Sequence, residues 1–193
     1  RRGQAVAMPV DDLWFLADRA TQVGERAYHR LDDRYDEYLP CDQSRDVCRS
    51  QFERVAERVA DSGAPYGAHT VVYREGGELL LVYHEGVDKW VVPGGGVHPE
   101  ESFREAAERE LAEEAGVGAD YDGLALLGRV EVRHGSYAVA GALPVYAAQA
   151  DGAEPTVSDP DGEISDARWF DALPEDTRDR ENLRQWRDRA LPA

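Results

Sequence analysis

The 193 residues, 42% of them hydrophobic, suffice for one packed domain with an extension. No apolar run approaches the roughly 18 residues of a membrane-spanning helix. The formal net charge is −17, with one lysine (Lys89) beside 21 arginines, a balance that opposes binding to DNA or to anionic membranes. The acids are spread along the whole chain, which reads as a solvated acidic coat of the halophilic type.

The opening "RRGQAVAMPV" has two arginines but too short an apolar stretch for a signal peptide, so the expected location is the cytoplasm. From Asp11 to Tyr38 apolar residues recur at helical spacing: Leu13, Leu16, Ala20, Val23, Ala27 and Leu31. Asp11 or Asp12 suits the cap, and Pro40 ends the pattern. A second helix is expected over about Ser44–Asp61, with Cys48, Phe52, Val55 and Val59 on one stripe. Cys41 and Cys48 lack the spacing of a zinc pair and read as free thiols or packing residues. "DSGAP", Asp61–Pro65, is a turn cluster. It divides a helical hairpin (1–62), suited to packing or to homodimer formation, from a second unit (63–193).

There the period changes. Strands are expected at Ala68–Arg74 and Leu79–His84 around the "EGGE" turn, and at Lys89–Pro93. Further strands follow at Leu124–His134, Tyr137–Ala150 and Ala167–Phe170, and an amphipathic helix closes the chain from Pro174. Strands alternating with helices make this an α/β domain with a mixed sheet.

Between the third and fourth strands lies "VVPGGGVHPEESFREAAERELAEEAGVG". Pro99, Glu100 and Glu101 suit a first helical turn and Gly116 a terminator, predicting a helix over Pro99–Ala115. It carries seven glutamates between Glu100 and Glu114. Glu110, Glu113 and Glu114 stand at i, i+3 and i+4 and share a face, where they repel one another unless a cation joins them. Hard Mg²⁺ or Mn²⁺ prefers such oxygen donors. Arg109 can orient a neighbouring carboxylate, and Glu101 lies two turns back at a similar angle. Gly94, Gly95 and Gly96 let backbone approach a phosphate or metal closely, and His98 beside them can cap the helix or reach a phosphate.

Gly95, five residues, Glu101, seven residues, then "RELAEEAGV" from Arg109 to Val117 resembles the signature of the Nudix hydrolases at every fixed position. The resemblance covers the 23-residue box, and the strand order from Ala68 to the last helix is similar to the whole Nudix domain. It implies a Nudix-type α/β/α sandwich, to which the helical hairpin before residue 62 is an addition. It also implies a pyrophosphohydrolase that attacks a nucleoside diphosphate linked to another moiety. Glu110, Glu113 and Glu114, with the Gly95 carbonyl, would hold Mg²⁺ or Mn²⁺. Arg109 would position Glu110, and Glu101 would support Arg109 or a second metal. Gly94, Gly95, Gly96 and His98 would meet the phosphates. The base would come from the box, with Glu113 as candidate, or from a later loop, where Glu163 is the best placed acid and Asp159 and Asp161 are its rivals.

Substrate markers are sparse: no proline follows the box in "GRVEVRHGSY", and Tyr137 sits late for a dinucleoside-polyphosphate type. Tyr83, His84, Lys89, Arg129, Arg133 and His134 are candidates for base or phosphate contacts, with ordinary strand or loop roles as the plain alternative. Two other functions fit the same box: a nucleotide-sensing regulatory module, and an RNA 5′-end pyrophosphohydrolase, which the lack of a basic patch disfavours. The expected partner is a small nucleotide, with no DNA and no membrane.

Overall fold

The computed structural model describes residues 10–192. Helix α1 spans Val10–Arg34. Asp11 and Asp12 therefore lie inside its first turn rather than capping it, and the Asp11 side chain is outside the described residues. The chain then forms two short strands, β1 (Leu39–Pro40) and β2 (Gln43–Asp46), before helix α2 (Arg49–Ser62). The helix expected from Ser44 thus begins five residues later. Residues 39–46 instead run parallel to the long strand β7 (Ala119–His134), with Gln43 opposite Val130 and Asp46 opposite Arg133. A strand edge left bare on β7 offers unpaired N–H and C=O groups, and this segment satisfies them. The expected stripe holds for Phe52, Val55 and Val59, but Cys48 sits at the cap, outside the helix and off the buried face. Cys41 is buried, Cys48 exposed, and both are free thiols.

The remaining elements follow the expected order, except that Gly94–Gly95 pairs as a strand where a loop was expected and the last helix starts at Arg180, not at Pro174. They are β3 (Ala68–Tyr73), β4 (Leu79–His84), β5 (Lys89–Val91), β6 (Gly94–Gly95), α3 (Phe103–Ala115), β7, β8 (Tyr137–Ala150), β9 (Ile164–Phe170) and α4 (Arg180–Ala190). Among the described residues one mixed sheet runs β1-β7-β8-β3-β4-β5, with β2 on β7, β6 on β3 and β9 on β4. β8 is antiparallel to β7 and parallel to β3.

Alternation along the strands feeds two apolar layers. Val71, Leu79 and Leu81 point to one side, where Leu13 and Ala17 of α1, Phe52 and Val55 of α2, and Leu183 and Trp186 of α4 cover them. Val72, Leu80 and Val82 point to the other, against Leu111 and Ala115 of α3. The result is the expected α/β/α sandwich. α1 and α2 are built into its first layer, since Leu13 and Phe52 are fully buried among sheet residues. Arg129 ties α1 to β7 through Glu25 at 3.3 Å and lies 3.7 Å above the Tyr28 ring. Arg133 pairs with Glu131, and His134 Nδ1 meets the Val47 carbonyl at 3.1 Å. Arg129 and His134 thus join the N-terminal segment to the sheet, while the Arg133 side chain stays within β7.

Candidate active site

α3 begins at Phe103, not Pro99. Ser102 is its cap: the hydroxyl accepts from Glu105 N–H at 3.2 Å, and the Glu105 carboxylate accepts from Ser102 N–H at 2.7 Å. Glu100 turns the chain with φ 66°. That turn takes Pro99 to Glu101 out of the helix. His98 is exposed and caps nothing; its backbone N–H donates to Glu101 Oε2 at 2.8 Å. Gly116 closes the far end as expected, its N–H donating to Ala112 O at 3.0 Å.

Arg109 is the hub of the acidic face. Its guanidinium donates to Glu101 at 2.9 and 3.1 Å, to Glu110 at 2.7 Å, to Glu113 at 3.3 Å and to the Gly96 carbonyl at 2.8 Å. These partners, Glu101 first, hold Arg109 charged far above its usual range. Arg109 in turn holds the Glu101 carboxyl below the usual value. Glu101 therefore reaches Arg109 from the loop before the helix.

The three box carboxylates differ in surroundings. The Glu113 side chain is 33% exposed and Glu110 only 11%. Glu114 is buried, and its Oε2 accepts from Gly94 N–H at 2.9 Å. Burial raises the Glu110 pKa against the pull of Arg109, and burial pushes Glu114 up to about 8, with the Glu110 charge adding to it. Gly95 faces Glu110 so closely that a Cβ at 95 would lie 2.6 Å from the carboxylate carbon. β6 owes that approach to Gly67, where a Cβ would meet the Gly95 oxygen at 1.8 Å.

The loop ahead of β9 docks on the same helix end. Thr156 N–H donates to Ala115 O at 2.7 Å and Ser158 N–H to Glu113 O at 3.1 Å. Asp161 adds negative field at Glu110, and Asp159 and Glu163 add it at Glu114. Asp159 is occupied with backbone: its carboxylate accepts from Asp161 N at 3.0 Å, Glu163 N at 2.6 Å and Ile164 N at 2.9 Å. The Glu163 carboxylate is exposed and meets His84 Nε2 at 3.3 Å. His84 Nδ1 accepts from Gly86 N–H at 3.1 Å, which leaves the ring proton on Nε2, facing Glu163.

A cleft of about 540 Å³ opens beside the glycines. Gly94, Gly95 and Gly96 line it, with His84 and Glu163 on one wall and Val91, Leu126, Leu143 and Val145 adding apolar surface. Its other walls come from residues that carry no local sequence signal: Arg45 of β2, Arg58 and Ser62 of α2, Tyr66, His69 of β3, and Arg178 and Asn182 at the start of α4. His69 is held neutral, its pKa pushed down to about 4 by burial and by the Arg178 charge.

Glu110, Glu113, Glu114 and the Gly95 carbonyl offer hard oxygen donors. The buried Glu114 has no cationic side chain in hydrogen-bond contact among the described residues. That uncompensated carboxyl suits a divalent cation, which would take the place of its proton. The carboxylates are not drawn into one cage as they stand, since Arg109 bridges Glu110 and Glu113 and no ready-made group of three or more is present among the described residues.

A family model described as the NUDIX domain matches residues 64–192. A putative 8-oxo-dGTP diphosphatase of Bacillus subtilis (strain 168) is 47% identical over 53 residues, 28% of this chain and 36% of that protein. Diphosphoinositol polyphosphate phosphohydrolase 2 of Rattus norvegicus is 67% identical over 41 residues, 21% of this chain and 23% of its own length. The chain thus spans little more than a third, or less, of these relatives. Among solved structures, a MutT NUDIX hydrolase from Burkholderia pseudomallei aligns with TM-score 0.43 and 25% identity, covering 64% of this chain and 98% of that one.

Proposed function

This chain belongs to the NUDIX family, and on that premise we propose that it hydrolyses the pyrophosphate bridge of a small nucleoside diphosphate derivative, with Mg²⁺ or Mn²⁺ as cofactor. The observation that carries the reading is the pair of buried carboxylates, Glu110 and Glu114, set against the glycine strand at the edge of a cleft of about 540 Å³.

Each residue has one task in this reading. Glu110, Glu113, Glu114 and the Gly95 carbonyl hold the cation, which when bound would neutralise phosphate charge and ease deprotonation of the attacking water. Arg109 fixes the rotamer of Glu110, and Glu101 with the Gly96 carbonyl fixes Arg109. The backbone at Gly95 and Gly96 orients the phosphate chain, the Gly94 N–H being taken by Glu114. Glu163 takes the proton from the water, steadied by the Nε2–H of His84. Its exposure and its lack of backbone partners favour it over Asp159. Glu113, the acid that the box itself would offer as base, is engaged by Arg109.

The test is phosphate release with Mg²⁺ or Mn²⁺, in low and high salt. Its panel comprises ADP-ribose, NADH, diadenosine polyphosphates, nucleotide sugars, nucleoside triphosphates and capped RNA. The names of the relatives add 8-oxo-dGTP and a diphosphoinositol polyphosphate. Turnover of one compound, lost by at least about a hundredfold in Glu114→Gln, is the expected result. A comparable loss in Glu163→Gln identifies the base. Metal-dependent binding of a nucleotide without turnover of any would replace the enzyme with a sensing module.

A further inference from the structure

The residues ahead of the matched family domain build one side of the cleft, and they bring arginines to it. Arg45 comes from β2 and Arg58 from the neighbouring α2, and Arg178, within the family domain, joins them from the turn before α4. In a chain with 39 acidic residues, none of these three guanidiniums lies within ion-pair distance of a carboxylate among the described residues. Exposed arginines elsewhere, such as Arg19, Arg26 and Arg30 of α1, are equally unpaired, so it is the shared cleft that sets these three apart. Asp61 and Asp179 also line the cleft, yet neither closes on an arginine. Arg45 instead lies 5.2 Å above the Tyr66 ring. Between these walls His69 presents a buried Nδ1 with no hydrogen-bond partner. A buried polar atom without a partner is costly, and beside a cleft its natural partner is a ligand group.

We propose that Arg45, Arg58 and Arg178 form a second anion site that takes a phosphate group of the substrate outside the scissile bridge. The word substrate rests on the pyrophosphohydrolase reading above; the anion site does not. Guanidinium groups bind phosphate through paired N–H donors, and these three exposed arginines remain solvated in the open cleft until a ligand arrives. The site would discriminate compounds that carry an additional phosphate from those that carry only the bridge.

The experiment is calorimetric binding to the metal-free protein, where the box carboxylates repel phosphate and cannot hold it. The probes are inorganic tripolyphosphate and the pair NADP⁺ and NAD⁺, which differ by one phosphate. The variants are Arg45→Gln/Arg58→Gln/Arg178→Gln and, as a charge-matched control on the exposed side of α1, Arg19→Gln/Arg26→Gln/Arg30→Gln, each checked for native circular dichroism. The expected result is tripolyphosphate binding weakened at least about tenfold by the cleft variant and less than about twofold by the control, with NADP⁺ tighter than NAD⁺ only when the cleft arginines are present. Equal weakening by both variants would reduce the effect to net charge and overturn the site. So would absence of binding in the unmodified protein, or equal affinity for the two dinucleotides. Loss of turnover with this binding intact would instead overturn the enzymatic reading and leave the anion site standing.

Discussion

Glu114 carries a large electrostatic consequence for a single residue. Its folded pKa is pushed up to about 8 by burial, against an ordinary value of 4.5. The folded protein therefore holds a proton there that the unfolded chain has released. The sign follows: stability is fully present below the unfolded pKa and is lost as pH rises through the folded one. Each unit of difference is worth on the order of 1.4 kcal/mol, so the metal-free protein should lose several kcal/mol between about pH 4.5 and 8 through this residue. Glu114→Gln keeps the acceptor for Gly94 N–H and removes the charge. Melting in EDTA should show the variant more stable than the parent at alkaline pH, with a flatter pH slope; identical slopes would sink the argument. The i, i+3, i+4 spacing of the three acids is legible in the sequence. Their unequal burial is not, because it depends on β6 passing over Glu110 and Glu114 but not over Glu113.

Among the elements, α3 shows how a local reading can misplace a boundary while finding the helix. Pro99 followed by two glutamates has the composition of a first turn, but the chain spends those residues on a turn that aims Glu101 at Arg109. Ser102 and Glu105 then satisfy the free N–H groups reciprocally. Ser102→Ala should cost about 1 kcal/mol and lower the melting temperature by a few degrees, read by thermal denaturation. Ser102→Thr should restore most of it; no loss in the alanine variant would mean that the helix starts at Pro99 after all. β1 and β2 were illegible for a different reason. They are short, mostly polar on their outer faces, and defined only by pairing with residues 87 positions further along the chain. The cleft arginines share that difficulty, since only the assembled fold brings them together.

Across the whole molecule, the period change near residue 62 marks where the family match soon begins, yet the first apolar layer crosses it. Phe52 and Leu13 are fully buried with Val71, Leu79 and Leu81. A fragment of residues 63–193 would bare that face and the β7 edge, and should fail to fold as a soluble monomer. Phe52→Ala in the full chain should cost about 3–5 kcal/mol in urea unfolding. A soluble, cooperatively melting fragment would show that the helices are dispensable.

Net charge acts on the same whole. With −17 spread over the surface, self-repulsion is a term that salt removes, the Debye length falling from about 10 Å at 0.1 M to about 3 Å at 1 M. Salt also weakens favourable pairs such as Arg49–Glu53 and Arg104–Glu108. Exposed pairs of this type contribute only about 0.2–1 kcal/mol each, whereas every surplus carboxylate feels the whole negative field. Repulsion should therefore dominate, and the melting temperature at pH 7 should climb steadily from 0.1 to 1 M KCl, by roughly the few degrees that each kcal/mol is worth in a chain of this size. Scanning calorimetry with sucrose at matched osmolality separates screening from general solute exclusion. A flat or falling curve in KCl would mean that the ion pairs, not the surplus acids, set the electrostatic balance of the fold.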